Sequence, residues 1–118
     1  MIKLYNTNLE TNKLESVDTY TRGTWIHMVD PSEEEIKEVC QNVNIKEDFI
    51  RYALDNEEKA RIDVEDEDDT ILFIIDIPVT EKSQSGGYMY ATMPIGMIVV
   101  RDDFFITCLL YTSDAADE

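Results

Sequence analysis

Thr24-Trp25-Ile26-His27-Met28-Val29-Asp30-Pro31-Ser32-Glu33-Glu34-Glu35-Ile36 is the stretch that decides the fold class, because its residue preferences change half-way. Thr24 to Val29 is rich in β-branched and aromatic residues, which suit a pleated strand. From Asp30 the signals are those of a helix start. Asp30 can accept a backbone N–H as N-cap, Pro31 loses nothing at a first helical position, and the three glutamates oppose the positive end of the helix dipole. Ser32 with Glu35 offers a capping box as the alternative start. A strand running directly into a helix predicts a domain that mixes the two.

Outward from this stretch the same test assigns the rest of the chain. Ile36, Val39, Cys40 and Val43 recur at i, i+3, i+4 and i+7, so one helix face is apolar and the other carries Glu34, Lys37, Glu38 and Gln41. A second, short helix is predicted from Lys46 to about Leu54, with Phe49/Ala53 and Ile50/Leu54 as i, i+4 pairs. On the N-terminal side, Met1–Tyr5 and Leu14–Asp18 flank an Asn/Thr-rich stretch and read as a hairpin. On the C-terminal side, Ala60–Glu65 alternates Ile62 and Val64 against charged residues, as a strand with one wet face would. The acidic turn Asp66–Asp69 follows. Ile71–Ile75 is apolar at every position, which predicts a strand covered on both faces. Thr80–Gly87 reads as a loop. Tyr88–Thr92, Ile95–Val100 and Phe104–Thr107 read as strands, with Arg101–Asp103 as a tight turn. The fold class expected is α+β (α/β), a mixed β-sheet with helices packed on it.

The bulk properties bound what such a domain can do. The 118 residues suffice for one domain with a core, and 43% hydrophobic residues are too many for a disordered polymer. Ten Lys plus Arg stand against 26 Asp plus Glu, a formal charge of -16, which repels nucleic acid and anionic lipid and favours cations or basic partners. The longest apolar run, Ile71–Val79, is interrupted by Asp76 and Pro78 and falls far short of the roughly 20 residues that span a bilayer. Only Cys40 and Cys108 are present, without CxxC spacing, so neither a disulfide framework nor a zinc knuckle is suggested.

Catalytic chemistry finds little material. His27 is the sole histidine and alternates with Trp25 and Val29 along a strand, a position that suits a half-buried structural residue. No spacing places a nucleophile beside it. Cys40, on the apolar helix face, reads as a small core residue. Glu65-Asp66-Glu67-Asp68-Asp69 invites a calcium-loop reading, but counted from Asp63 the sixth residue is Asp68 rather than Gly and the twelfth is Ile74 rather than Glu. A solvated, cation-attracting turn is the simpler account. Gly86-Gly87 precede a strand rather than open a helix, so they form no phosphate cradle. No enzyme activity and no organic cofactor are expected.

Five segments in order resemble the cytoplasmic N-terminal domain of CorA-type divalent-cation transporters. Trp25–Ile36 is similar to the family's opening strand and helix start. Phe49–Leu54 followed by Asp55-Asn56-Glu57-Glu58-Lys59-Ala60-Arg61-Ile62-Asp63-Val64-Glu65 resembles its short helix and following strand, and Ile71–Val79 its apolar strand with an Ile-Pro pair. Thr92-Met93-Pro94-Ile95-Gly96-Met97-Ile98-Val99 and Asp103-Phe104-Phe105-Ile106-Thr107 resemble its last two strands. His27 departs from the pattern, where Asp or Asn is commoner. The resemblance implies a regulatory cytoplasmic portion, incomplete at its C-terminus, of a transporter of magnesium or another divalent cation such as cobalt. It further implies a parent in the cell membrane that assembles as a homopentamer, holds regulatory cations between subunits by carboxylates, and reaches the membrane through C-terminal helices that this sequence does not contain. Glu81, in the loop after the apolar strand, is the nearest match to one such metal ligand. The rival reading is a free-standing acidic module that binds basic partners.

Residues 108–118, Cys108-Leu109-Leu110-Tyr111-Thr112-Ser113-Asp114-Ala115-Ala116-Asp117-Glu118, resemble codon for codon the translation of a sequencing-library adapter. They are set apart as non-native, leaving 1–107 as the partial CorA-like domain.

Overall fold

The computed structural model describes residues 1–55, 60–66 and 69–110, and for Glu81 the backbone. Asn56–Lys59, Glu67 and Asp68 of the acidic turn and residues 111–118 of the tail lie outside the described residues. The elements are β1 (Ile2–Asn8), β2 (Lys13–Val17), β3 (Thr24–Val29), α1 (Glu33–Val43), α2 (Glu47–Ala53), β4 (Arg61–Glu65), β5 (Thr70–Lys82), β6 (Tyr88–Val100) and β7 (Phe104–Leu109). They form one seven-stranded sheet in the order β2-β1-β3-β7-β6-β5-β4.

This order follows from the strand-to-helix switch at Val29. After β3 the two helices carry the chain across one face of the sheet to its far edge, where β4 begins. The antiparallel meander β4-β5-β6-β7 then returns until β7 lies parallel to β3, with Ile26 opposite Ile106. That single parallel pair makes the sheet mixed. β1 and β2 extend the other edge as the expected hairpin, joined in register from Leu4/Val17 to Asn8/Lys13.

The start of α1 is settled by the capping box. Ser32 Oγ accepts from the Glu35 N–H at 3.1 Å, and Glu35 Oε1 accepts from the Ser32 N–H at 2.9 Å. Asp30 is therefore not the N-cap; it sits at φ 43°, in the left-handed region that Asp tolerates better than most residues. The helix ends at Asn44, left-handed at φ 57° as a C-cap should be. No basic residue of α1 meets its negative end, and Arg101 from the β6–β7 turn supplies one by donating from Nη2 to the Val43 carbonyl at 2.6 Å.

Ile36, Val39, Cys40 and Val43 of α1 and Phe49, Ile50 and Ala53 of α2 are buried against Ile26, Met28, Leu72, Ile74, Ile98 and Ile106 of the sheet. At Gly96 the backbone of β6 comes so close to Ala53 that a Cβ there would collide with it, which is why α2 requires glycine at that position.

Three expectations are corrected. β5 continues through Thr80 and Glu81 to Lys82, so the loop is confined to 83–87. β6 runs unbroken through Pro94, because proline's missing N–H costs little where a strand has an open edge: β4 pairs with β5 as far as Ile74, β7 pairs with β6 from Gly96, and Pro78 and Pro94 both lie in the two-stranded ribbon beyond. β7 likewise runs past Thr107, and Cys108, whatever its origin, is fully buried in the core.

The sheet covers only one of its faces with helices. Leu72 and Ile74 point into the core, whereas Ile71, Phe73 and Ile75 alternate onto the other side. The register places Ile62 opposite Phe73 and Val64 opposite Ile71, so the two apolar residues of β4 share that open side and are 65% and 63% exposed. The alternation in β4 puts its apolar positions on the uncovered side, and Ile62, Asp63 and Val64 are all exposed. The reading of β5 as covered on both faces holds for one.

Candidate functional site: the acidic turn, the ribbon and the open sheet face

The two acidic features of the sequence lie at opposite ends of β5. Asp66 and Asp69 sit at the β4–β5 turn, beside the β6–β7 turn, where the Arg101 N–H donates to the Asp69 carbonyl. Glu81 lies at the far end of the same strand, opposite Met89, where the β5–β6 ribbon has no other strand beside it. Twelve residues of extended chain, at about 3.4 Å each, separate the two by about 40 Å. They cannot serve one cation within a chain. Among the described residues there is no group of three or more His, Cys, Asp or Glu side chains that could hold a metal ion.

The ribbon around Glu81 is poor in charge and rich in exposed large side chains. Tyr88, Met89 and Tyr90 are 73%, 58% and 83% exposed. The turn is closed by Ser83, whose N–H donates to the Gly87 carbonyl at 2.7 Å and whose Oγ accepts from the Gly87 N–H at 3.1 Å. Gly86 has φ 90°, a conformation that only glycine adopts readily.

Charge is organised differently over the helices. Arg51 of α2 clasps Glu33 of α1 with both guanidinium arms, at 3.1 and 2.6 Å, joining the two helices on their exposed side. The arginine holds the Glu33 carboxyl below the usual carboxylate range. Glu35 is also lowered, first by the Ser32 backbone N–H and then by the N-terminal amine.

Neither cysteine is poised for reaction. Cys40 borders a shallow cleft of about 450 Å³ with Lys37, Gln41, Asn44, Ile45 and Glu47, and burial pushes its thiol up to about 11. At Cys108 burial takes it to about 12. His27 lies on the open face of the sheet, across it from Cys40, half-buried and bonded through Nδ1 to Thr107 Oγ1 at 2.8 Å. Sequence reading missed that contact, because the two residues are 80 positions apart.

A sequence profile of the family described as CorA-like Mg2+ transporter protein matches residues 21–118. The chain belongs to the CorA-like family. The match takes in every segment from which the resemblance was read. Among solved structures, the soluble domain of CorA from Methanocaldococcus jannaschii aligns with 99% of this chain at a TM-score of 0.74 and 22% identity. The complete CorA magnesium transporter of the same organism aligns with 99% of it at a TM-score of 0.70 and 19% identity. At those identities the likeness shows the CorA soluble-domain fold. The chain spans 43% of the soluble-domain structure and 34% of the complete transporter. No curated protein matches. No helix among the described residues is long and apolar enough to cross a membrane.

Proposed function

We propose that this CorA-like chain is a portion of the cytoplasmic regulatory region of a divalent-cation transporter, magnesium being the first candidate ion. The observation that carries this reading is the family match over residues 21–118 together with a fold that follows the CorA soluble domain along 99% of the chain. In this reading the transporter sits in the cell membrane as a homopentamer, and conduction belongs to regions outside these 118 residues.

Regulation is assigned to carboxylates brought together by assembly. The net charge of -16 makes copies of this domain repel one another, and a divalent ion between facing carboxylates offsets that repulsion. Glu81 suits such a role by position. It lies on a strand that leaves the body of the domain and is about 40 Å along β5 from Asp69, so a cation held there would draw its other ligands from a neighbouring subunit.

The test is protection of the assembled transporter from a protease by Mg2+, compared between wild type and Glu81→Gln. We expect the Mg2+ concentration needed for half-protection to rise at least several-fold in the variant, with protection at saturating Mg2+ retained. An unchanged midpoint would remove Glu81 from the site. Absence of any Mg2+ effect in wild type would remove the regulatory reading itself.

A further inference from the structure

Trp25, His27 and Thr107 meet on the open side of the sheet. In the parallel β3–β7 pair His27 is opposite Thr107, and Trp25 lies two residues earlier on the same face. Thr107 Oγ1 accepts from Trp25 Nε1 at 2.9 Å and lies 2.8 Å from His27 Nδ1, while the indole and imidazole centroids are 5.7 Å apart. Tyr5, opposite Trp25 on β1, packs on the indole from the other side with centroids 5.0 Å apart. The threonine hydroxyl has one proton to give. Its oxygen has two lone pairs, one of them taken by Trp25; in the arrangement proposed below the threonine proton is directed at Nδ1, and the neutral imidazole carries its own proton on Nε2.

We propose that the Trp25–Thr107–His27 chain is a proton-sensitive device on the open face of the sheet. When His27 takes up a proton, Nδ1 becomes a donor, both rings donate to Thr107 Oγ1, and the threonine proton loses its acceptor. A positive charge then stands on an apolar surface. The charged side chain facing His27 opposes that charge. β1 places the Lys3 ammonium directly opposite; β7 contributes Phe105, Thr107 and Leu109; β3 itself contributes Trp25 and Val29. No carboxylate occupies any of these positions. Burial, and next the Lys3 charge, lower the His27 pKa accordingly. The sign of the linkage follows: the contribution to stability is complete above the ordinary histidine value of about 6.5 and is lost as pH falls through the lower folded value. A segment or partner that covers this face without bringing a carboxylate to His27 adds to the burial of the imidazole, and so binds with release of a proton and less tightly in acid.

Trp25 and His27 are the only tryptophan and histidine in the chain, so both ends of the device can be read without labels. A protonated imidazole next to an indole quenches its emission. Trp25 fluorescence of the 118-residue chain is titrated from pH 8 to 5 in wild type, His27→Gln and Thr107→Val, with nitrogen chemical shifts of the wild-type imidazole followed in parallel. We expect a one-proton fall in emission with a midpoint below about 6.5 in wild type, no such step in His27→Gln, and a midpoint moved upward in Thr107→Val. The neutral imidazole should carry its proton on Nε2. A Trp25 step that survives in His27→Gln, a midpoint unmoved by Thr107→Val, or a neutral ring protonated on Nδ1 overturns the proposal, and the last of these is read on wild type alone.

Discussion

Alanine at Ile98 and alanine at Ile62 remove the same atoms from the same sheet with opposite expected consequences. Ile98 is 0% exposed, lies between Leu72 and Ile106 on the helix-covered face, and has no room to relax. Truncation there removes buried methyl groups and leaves a cavity, a loss of about 2–5 kcal/mol. That is a large part of the roughly 5–15 kcal/mol that holds a domain of this size together. Ile62 is 65% exposed on the open face, so its alanine variant forfeits little burial and should lose less than about 1 kcal/mol, mostly strand preference. Urea unfolding at micromolar concentration measures both. Light scattering at high concentration adds a second contrast, since Ile62, Val64, Ile75 and Phe105 together expose about two whole side chains' worth of apolar surface that favours self-association. Ile62→Ala should reduce association while Ile98→Ala should not. An Ile62→Ala variant as unstable as Ile98→Ala at low concentration would refute the open face.

Two further tests address the helices. Gly96→Ala should destabilise by about 1–3 kcal/mol because its new methyl meets Ala53, and Ala53→Gly, itself costly by about 1 kcal/mol in a helix, should recover part of that loss in the double variant; strict additivity in a urea-denaturation cycle would contradict the contact. Ser32→Ala should cost about 1 kcal/mol by opening the capping box, whereas Asp30→Ala should leave the helix content of α1 unchanged by circular dichroism, any fall in unfolding midpoint coming from the left-handed backbone at that residue and not from a lost cap.

Much of the fold was legible because its signals are local. A run of β-branched and aromatic residues followed by Pro-Ser-Glu-Glu-Glu announces strand then helix wherever it occurs, and the i, i+3, i+4, i+7 spacing from Ile36 to Val43 names the buried face of α1 without reference to a partner. Strand limits were less legible where the limit is set by a neighbour. Pro94 reads as a break because sequence does not reveal that the pairing of β7 with β6 begins only at Gly96, and polar Thr80-Glu81-Lys82 reads as a loop because their pairing with Tyr88-Met89-Tyr90 is a property of the ribbon. The candidate site was the least legible. Glu81 was chosen by resemblance, and the structure alters its setting from loop to strand end.

By itself the sequence determined the mixed helix and strand content, the apolar faces and the acidic balance, since each depends on residue type and spacing along a few neighbouring positions. Tertiary structure alone decided which sheet face the helices cover and hence that Ile62 and Val64 lie on its uncovered side. It also brought Arg101 to the end of α1, and Trp25, His27 and Thr107 into one hydrogen-bonded chain. Those outcomes rest on strand order and register between segments as many as 82 residues apart, and register is fixed only when the whole sheet closes on its core.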